Sequence, residues 1–330
     1  MLVYLATYPR SGNAFLQQII RANFGLFASQ IVAGVNSREA AIAQLARMAP
    51  ALQQKSDPAD GYVVSVSKAG ENWSKRLLPI DLELLTEDVR RTLAESAEPF
   101  FLKLHDRPFR KYLPGEYVIQ LVRHPGAVLW SYFRYANDVD LGLSGDAIYE
   151  QFAPTVENVI RGHVGYGHWS SYHADWDAVR KAIGSRFLFL RYEEVAADPA
   201  TAATRVAQLA SLPLRAGGVT DFARYRERHP GWDLRGTSEG YESYFSAPQL
   251  ALLWQQHGAW AERFGYAPPA EDRAAPKEQV ERLERLVEMA WRKAREQNRS
   301  WLGKAVSGIA ARVLNKRTEV PAALNGKAGD

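Results

Sequence analysis

Short runs of apolar residues alternate along the chain with longer stretches in which apolar residues recur at helical spacing. Three such runs are Leu2 to Thr7, Tyr117 to Val122 and Phe187 to Leu190, and Phe100 to Lys103 is a fourth short run. Short apolar runs bounded by polar or turn residues are typical of strands buried on both faces. Strands that alternate with helices indicate βαβ units, so the sequence predicts an α/β fold with a parallel β-sheet flanked by helices.

Two long intervals between these strands show helical patterns. The interval 25–99 includes amphipathic stretches at Ser37 to Met48 and Asp81 to Leu93, and the interval 137–185 is rich in aromatic residues. We interpret both as elaborations that cover the sheet.

The second half of the chain predicts a long loop, a helix and a tail. Residues 215–245 are rich in Gly, Arg and Tyr without clear periodicity, which favours a functional loop, and a helix is predicted from Gln249 to Phe264. We therefore predict one domain over 1–266, a basic helical tail over 277–317 and a disordered end over 318–330.

The composition is that of a soluble globular protein, with 330 residues, 46% of them hydrophobic and 24% charged. The chain has no cysteine, which excludes disulfides, thiol nucleophiles and Cys-based metal sites. We find no apolar stretch long enough for a membrane-spanning helix and no signal-peptide pattern, so a cytoplasmic location is expected.

The net charge of +4 is concentrated in the tail. Residues 291–317 carry eight Lys or Arg and one acid, Glu296, which leaves the remainder close to neutral and predicts no nucleic-acid partner. Three interpretations of the tail stay open. It packs on its own domain, pairs with a second subunit, or makes a peripheral contact with an anionic membrane.

The loop Tyr8-Pro9-Arg10-Ser11-Gly12-Asn13 follows the first strand and precedes a helix predicted from Ala14 to Asn23. A strand, a tight loop and a helix N-terminus together form an anion site, because free backbone N–H groups and the helix dipole face the ligand. A plain strand-to-helix turn is the alternative. The nucleotide pattern GxxxxGK[ST] is missing.

Two further strand ends carry chemistry-bearing side chains. Lys103 and His105 are two residues apart, so alternation places them on one face, where they suit charge stabilisation and general-base catalysis. Arg123 ends the next strand, Pro125 lies where a helix begins, and Ser131 lies about two turns into that helix. Arg123 and Ser131 can therefore converge on one phosphate, or they are a surface Arg and a packing Ser.

Metal and serine-hydrolase chemistry are not predicted. His163, His168 and His173 are five residues apart, so on one helix successive rings would lie about 140° apart, and no carboxylate cluster completes a ligand set. The Gly-x-Ser-x-Gly elbow is also missing.

Taken together, these segments resemble the PAPS-dependent sulfotransferases, whose sulfuryl donor is 3′-phosphoadenosine 5′-phosphosulfate (PAPS) and whose nucleotide product is PAP. Thr7 to Phe15 is similar to the family's TYPKSGTTW loop, which binds the 5′-phosphosulfate, and Lys103-Leu104-His105 is similar to its KTH segment. The resemblance implies a P-loop-like nucleotide-binding fold, with His105 as the catalytic base and Lys103 and Arg10 as catalytic cations. The residues that it implies for the donor are Arg10, Ser11, Gly12, Asn13, Ala14, Phe15, Arg123, Ser131, Tyr192, Thr220, Phe222, Arg235 and Gly236.

The resemblance also implies which part of the donor each of these residues binds. Arg123, Ser131 and Arg235-Gly236 correspond to residues that hold the 3′-phosphate. Phe15, Tyr192 and the Thr220 to Phe222 loop correspond to residues around the adenine. Trp169 and Trp176 are similar to an aromatic helix motif of the family.

Two departures from the family pattern bear on function. Arg10 replaces the usual loop Lys, which keeps the charge but makes its catalytic share an open question, and Phe15 replaces a Trp. The intervals 25–99 and 137–185 are expected to lie on the acceptor side of the site. Their sequences do not distinguish between a small molecule, a sugar and a lipid as the acceptor.

The sequence therefore predicts a PAPS-dependent O-sulfotransferase that needs no metal. The alternatives are a phosphotransferase of the P-loop class, against which the missing GK[ST] counts, and a non-catalytic PAP-binding protein, against which His105 counts.

Overall fold

A computed structural model of the chain describes residues 1–26, 28–32, 67–68, 71–72, 79–81, 85–97, 99–138, 155–164, 166–218, 221–227 and 237–269. Their framework is a six-stranded, entirely parallel sheet in the order β5-β2-β6-β1-β7-β8, beside a two-stranded antiparallel pair, β3-β4. The strands are β1 Leu2–Thr7, β2 Ala28–Val32, β3 Ser67–Lys68, β4 Glu71–Asn72, β5 Pro79–Asp81, β6 Phe100–Leu104, β7 Glu116–Val122 and β8 Phe187–Arg191.

Helices cover both faces of the large sheet, as βαβ connections require. None of the helices within the described ranges is both long and apolar enough to cross a membrane. The helices are α1 Asn13–Phe24, α2 Glu87–Glu95, α3 Pro125–Asp138, α4 Val156–Ile160, α5 Trp169–Ile183, α6 Tyr192–Ala197, α7 Pro199–Ala210, α8 Phe222–Glu227 and α9 Ala247–Arg263, with 3₁₀ turns at Gly184–Arg186 and Tyr241–Tyr244.

The alternation of side chains along the central strand β1 divides the core into two parts. Val3 and Leu5 pack with α1 and α7 on one face, whereas Tyr4 and Ala6 pack on the other face with α2, α3, α5 and α9. All six β1 residues are fully buried. A strand with apolar residues on both faces belongs at the centre of a parallel sheet, and β1 lies there.

The register of the strands aligns their carboxyl ends. Ala6 of β1 pairs with Leu104 of β6, and Thr7 pairs with Leu121 of β7. The segments that follow β1, β6, β7 and β8 consequently emerge side by side at one edge. Ligands bind at this edge in open parallel sheets, especially where the strand order reverses, as it does around β1.

The opposite end of the sheet contains a buried ion pair. Both carboxylate oxygens of Glu116 accept hydrogen bonds from Arg90, at 2.7 and 2.6 Å, and Tyr4 and the Leu113 amide also donate to this carboxylate. Glu116 is fully buried, so these four donors offset its desolvation. The pair joins α2 to β7 at the end of the sheet away from the carboxyl edge.

The predicted α/β architecture is confirmed, and the four predicted strands are observed with at most one residue added at an end. The interval 25–99 does more than cover the sheet, because it also supplies strands β2 and β5. The helix predicted from Asp81 begins only at Glu87, since Asp81 ends β5 and Thr86 caps the helix by accepting from the Val89 amide. The helix predicted at 37–48 and the tail lie outside the described residues.

Candidate active site

The loop between β1 and α1 has an unusual backbone. Arg10 and Gly12 both adopt positive φ angles, 71° and 96°. The Ser11 amide donates to the Tyr8 carbonyl at 3.2 Å and closes the turn. A non-glycine residue with positive φ is uncommon, and such residues concentrate at functional sites.

Gly12 is required at its position by contact as well as by conformation. A Cβ atom on Gly12 would lie 2.2 Å from Cδ2 of Tyr192, so only glycine lets the loop rest on that ring. The following amides, at Asn13 and Ala14, open helix α1, where the first N–H groups have no intrahelical acceptor. Ser11 Oγ and Asn13 Oδ1 are buried without a hydrogen-bond partner in the structure. The free amides and the Ser11 hydroxyl are donors and suit an anion that the loop would bind, whereas Asn13 Oδ1 is an acceptor and does not contribute to that fit.

His105 lies just beyond β6, against the end of β1. Its Nδ1 is 2.6 Å from the Thr7 carbonyl oxygen and 3.1 Å from the Thr7 hydroxyl. A carbonyl only accepts, so Nδ1 carries the proton and Nε2 keeps its lone pair. Burial, followed by the Lys103 charge, lowers the pKa of His105 to about 3, although the bond to Thr7 opposes this shift. The imidazole is therefore neutral at pH 7 and oriented as a base.

Lys103 is the penultimate residue of β6, and strand alternation places it on the same side of the sheet as His105. Burial, and secondarily the charge of Arg10, lower the pKa of Lys103 to about 8. The charges of Arg10 and Lys103, from the loop after β1 and from β6, therefore act on one another. An anion between them would stabilise both.

Arg123 follows β7 and is 8% exposed. Its Nη1 donates to the Arg10 carbonyl at 3.4 Å and its Nη2 to the Thr237 carbonyl at 3.2 Å, while Nε has no partner. Its Cζ lies 4.4 Å from the centroid of the Tyr192 ring. No carboxylate of the described residues lies within ion-pair distance of Arg123, so the described part of the chain supplies no counterion for this buried charge.

Ser131 of α3 accepts a hydrogen bond from Arg10 Nε at 3.1 Å. The sequence prediction that Ser131 and Arg123 converge agrees with this geometry, because Arg10 touches both residues. The first loop, β7 and α3 therefore meet at one point through Arg10.

Aromatic rings cluster beside the loop, as the sequence predicted. Phe15 meets Phe222 edge to face with centroids 4.8 Å apart, and Tyr225 lies 5.1 Å from Phe15. A base stacked between two rings needs about 7 Å, twice the contact distance of about 3.5 Å. An adenine can lie between Phe15 and Phe222 only if one of the two rings moves.

A second group of aromatic rings, Tyr166 and Tyr132, lies next to His105. The Tyr166 ring is 5.5 Å from the His105 ring and 6.4 Å from that of Tyr132, and Tyr166 is 47% exposed. Its loop is held by Tyr8, whose hydroxyl donates to the Gly167 carbonyl at 2.7 Å. An exposed ring thus lies next to the candidate base.

Sequence reasoning missed three contributors to this edge. Glu193, Thr237 and Ser238 are joined to Arg123 or to its neighbours by hydrogen bonds. Glu193 directly follows Tyr192, but its hydrogen-bond partners are distant in the chain, so no local signal could reveal its role. Thr220, Arg235 and Gly236, which the resemblance implies for the donor, lie outside the described residues.

The three histidines at 163, 168 and 173 do not lie on one helix, which was the arrangement considered above. His163 and His168 precede helix α5, and only His173 lies within it. Across the described ranges, no group of three or more His, Asp or Glu residues could hold a metal ion. Trp169 and Trp176, the other aromatic motif, are fully buried core residues.

Residues 2–227 match the sulfotransferase domain family, and the chain belongs to that family. Membership assigns the general reaction, transfer of a sulfuryl group, and the P-loop-like fold predicted above. No curated protein is similar enough in sequence to count as a match.

Solved structures include sulfotransferases similar to this chain. Mouse sulfotransferase SULT7A1 complexed with PAP is 15% identical over 81% of this chain and 89% of its own, with a TM-score of 0.45. Retinol dehydratase in complex with androsterone and PAP is 14% identical over 79% and 80%, with a TM-score of 0.47. The sulfotransferase domain of a Synechococcus olefin synthase is 16% identical over 81% and 95%, with a TM-score of 0.41.

Proposed function

We propose that this protein transfers a sulfuryl group from PAPS to a hydroxyl group of an acceptor, with His105 as the general base. The observation that carries the proposal is a neutral imidazole whose Nε2 keeps its lone pair, set beside the cations Lys103 and Arg10 at the carboxyl edge of the sheet. A base next to a cationic cluster suits attack by an uncharged oxygen on an anionic centre.

The donor's 5′-phosphosulfate would lie on the loop before α1. Arg10, the Ser11 hydroxyl and the amides of Gly12, Asn13 and Ala14 would hold it, and Gly12 allows the backbone to come close. The fit is supported by the buried Ser11 Oγ, a donor without a partner, and by the helix N-terminus behind it.

The donor's 3′-phosphate would be held by Arg123 and Ser131, completed by Arg235 and Gly236. Arg123 supports this role, because its charge is buried and its Nε has no partner. A phosphate there would supply the counterion that the described residues do not give Arg123. Phe15, Tyr192 and Phe222, with Thr220, would enclose the adenine once the Phe15–Phe222 contact opens.

In the reaction the acceptor oxygen forms a bond to sulfur while the bond from sulfur to the bridging phosphate oxygen breaks. His105 Nε2 takes the proton of the acceptor hydroxyl, and the bond from Nδ1 to the Thr7 carbonyl keeps the ring oriented as it becomes an imidazolium. The negative donor raises the pKa of His105 above its low value without ligand, which improves its strength as a base. Lys103 and Arg10 stabilise the negative charge on the departing oxygen.

The acceptor class stays open between a small molecule, a sugar and a lipid. The exposed Tyr166 ring beside His105 supports an acceptor with a flat face.

Calorimetric titration with PAP, ADP and ATP tests the donor. We expect PAP to bind more tightly than ADP or ATP, and Arg123→Ala to weaken PAP binding by at least about tenfold, because a buried charge-assisted contact is lost. Preference for ATP would favour a phosphotransferase, and an unchanged PAP affinity in Arg123→Ala would contradict the phosphate assignment.

A further inference from the structure

The carboxylate of Glu193 joins three segments that are far apart in the chain. Ser238 donates its hydroxyl hydrogen to Oε1, Tyr266 donates to Oε2 at 2.9 Å, and the His124 amide approaches Oε1 at 3.5 Å. Glu193 itself belongs to the first turn of α6, immediately after β8. One side chain therefore connects the ends of β7 and β8 with residues 237–238 and with the segment that follows α9.

Two of these segments, and the residue before Glu193, also adjoin Arg123. His124 is its neighbour in the chain, and Thr237, the neighbour of Ser238, offers its carbonyl to Arg123 Nη2 at 3.2 Å. Tyr192, the neighbour of Glu193, places its ring 4.4 Å from the guanidinium carbon. The three supports of Arg123 are thus held together by the Glu193 carboxylate, which does not itself reach ion-pair distance from Arg123.

The hydrogen-bonding pattern explains why a carboxylate is needed there. Ser238, Tyr266 and the His124 amide all present hydrogen atoms, and an ionised carboxylate is a side chain that only accepts. An amide in its place would turn an NH₂ group toward at least one donor and lose that bond.

We propose that Glu193 is a positioning residue of the donor site, which fixes Arg123 and residues 237–238 against the 3′-phosphate of PAPS. The proposal rests on the proposed function, because it assumes that Arg123 binds that phosphate. The 3′-phosphate distinguishes PAP from 5′-AMP, so Glu193 sets the selectivity of the site between these two nucleotides.

The test compares the dissociation constants of PAP and 5′-AMP by calorimetry in the wild type and in Glu193→Gln. The wild type should prefer PAP. In Glu193→Gln we expect the affinity for PAP to fall by about tenfold while that for 5′-AMP stays within about twofold, because only the 3′-phosphate contact is misaligned. A general loss of structure would instead weaken both nucleotides together.

Glu157→Gln is the matched control. Glu157 also accepts a side-chain hydrogen bond, from Gln249 at 2.6 Å, but it joins α4 to α9 and has no hydrogen bond or ion pair with any described residue that we assign to the donor. It should keep the wild-type affinities for both nucleotides. Tyr266→Phe, which removes a single donor, should show a smaller loss in the same direction, and it keeps the test informative if Glu193→Gln does not fold.

A double-mutant cycle checks the proposed partner. If Glu193 acts through Ser238, adding Ser238→Ala to Glu193→Gln should cause little further loss of PAP affinity, because the interaction is already broken. Additive losses, or equal loss of PAP and 5′-AMP affinity in Glu193→Gln, would overturn the inference. A wild type that binds 5′-AMP as tightly as PAP would instead contradict the proposed donor.

Discussion

At the scale of single residues, the hydrogen bond from His105 to the Thr7 carbonyl has the largest consequence. It assigns the proton to Nδ1 and leaves Nε2 as the acceptor, while burial keeps the ring neutral at pH 7. This contact follows from the register of the sheet. Strands β1 and β6 are parallel neighbours that end side by side, so Thr7 at the end of β1 lies next to His105 just beyond β6.

Lys103 predicts how the reaction depends on pH. The ammonium has a pKa of about 8, lowered by burial and by Arg10, so it loses its charge as the pH rises through that value. We expect kcat/KM to decline above about pH 8, because the free enzyme then lacks one of the cations that stabilise the departing oxygen.

Lys103→Arg is the control for this assignment. A guanidinium stays charged across the accessible range, so the decline near pH 8 should disappear even if the maximal rate is lower. A profile of kcat/KM in Lys103→Arg with the same fall near pH 8 would assign the titration to another group.

Gly12 predicts a second residue-scale effect. Gly12→Ala combines a positive φ of 96° with a Cβ 2.2 Å from the Tyr192 ring, so the loop has to move. We expect PAP affinity to fall by at least about tenfold. A non-glycine residue in the left-handed conformation costs about 1–2 kcal/mol, and we expect the free energy of unfolding to fall by more than this amount because the contact with Tyr192 adds to it.

Gly217→Ala separates the two causes. Gly217 also has a positive φ, 75°, but a Cβ there would meet no atom within 4 Å. It should lose only the backbone contribution to the free energy of unfolding and keep its affinity for PAP. Equal effects of the two substitutions would show that the contact with Tyr192 is unimportant.

At the scale of elements, the two ends of the sheet have different tasks. Several cationic side chains lie at the carboxyl edge, and none of the described residues supplies a carboxylate to Arg123 there. At the other end of the sheet, Glu116 and Arg90 form a buried ion pair that is fully hydrogen-bonded. Uncompensated charge at one end suits binding, and compensated charge at the other suits stability.

Glu116→Gln tests this division. Removing one member of a buried pair leaves the other charge without compensation, so we expect the free energy of unfolding in urea to fall by about 3–5 kcal/mol. PAP affinity should be unchanged in the folded protein. Glu87→Gln, which removes a half-exposed partner of Arg91 at 2.8 Å, should cost less than about 1 kcal/mol.

A failure of Glu116→Gln to exceed Glu87→Gln would contradict the importance of the buried pair. A large loss of PAP affinity in Glu116→Gln would show instead that the two ends of the sheet are coupled.

The sequence predicted some elements well and others not at all, for physical reasons. Strands β1, β6, β7 and β8 are dense apolar runs, so the hydrophobic pattern predicted them. Arg10, Lys103, His105 and Arg123 lie at or just beyond the ends of three of these strands, so the same pattern predicted where a candidate site would lie. Strand β2 contains Ser29 and Gln30, and β5 is three residues beginning with a proline, a residue tolerated at the start of an edge strand. Their pairing depends on distant partners, which local patterns do not encode.

The same distinction holds for the site. Gly12 and His105 stand in recognisable local motifs, whereas the importance of Glu193 arises from Ser238 and Tyr266, 45 and 73 residues further along the chain. A contact of that kind becomes apparent only when the fold brings the segments together.

At the scale of the whole molecule, every described residue that we assign to the site lies between Thr7 and Tyr266. The basic tail lies outside the described residues, and its three interpretations stay open: packing on its own domain, pairing with a second copy, or contact with an anionic membrane. We expect removal of residues 277–330 to leave PAP affinity within about twofold of the full chain, because none of the described donor contacts comes from the tail.

Flotation with anionic vesicles, applied to the full chain and to the truncated chain, separates the membrane interpretation from the other two. Binding that is lost on truncation and weakened by salt would assign the tail to the membrane surface. A loss of PAP affinity of about tenfold or more on truncation would contradict the prediction that the domain binds its donor alone.

Mass spectrometry of an acceptor library incubated with PAPS and either the wild-type protein or His105→Ala tests most directly whether the protein transfers a sulfuryl group with His105 as the base. We expect the wild type to add one SO₃ group to a hydroxyl-bearing acceptor and to release an equal amount of PAP. We expect His105→Ala to lose about 100-fold to 10,000-fold in turnover, the usual contribution of a general base, while binding PAP normally. Turnover by His105→Ala close to that of the wild type, or transfer of a phosphoryl group from ATP in place of a sulfuryl group, would contradict the proposed function.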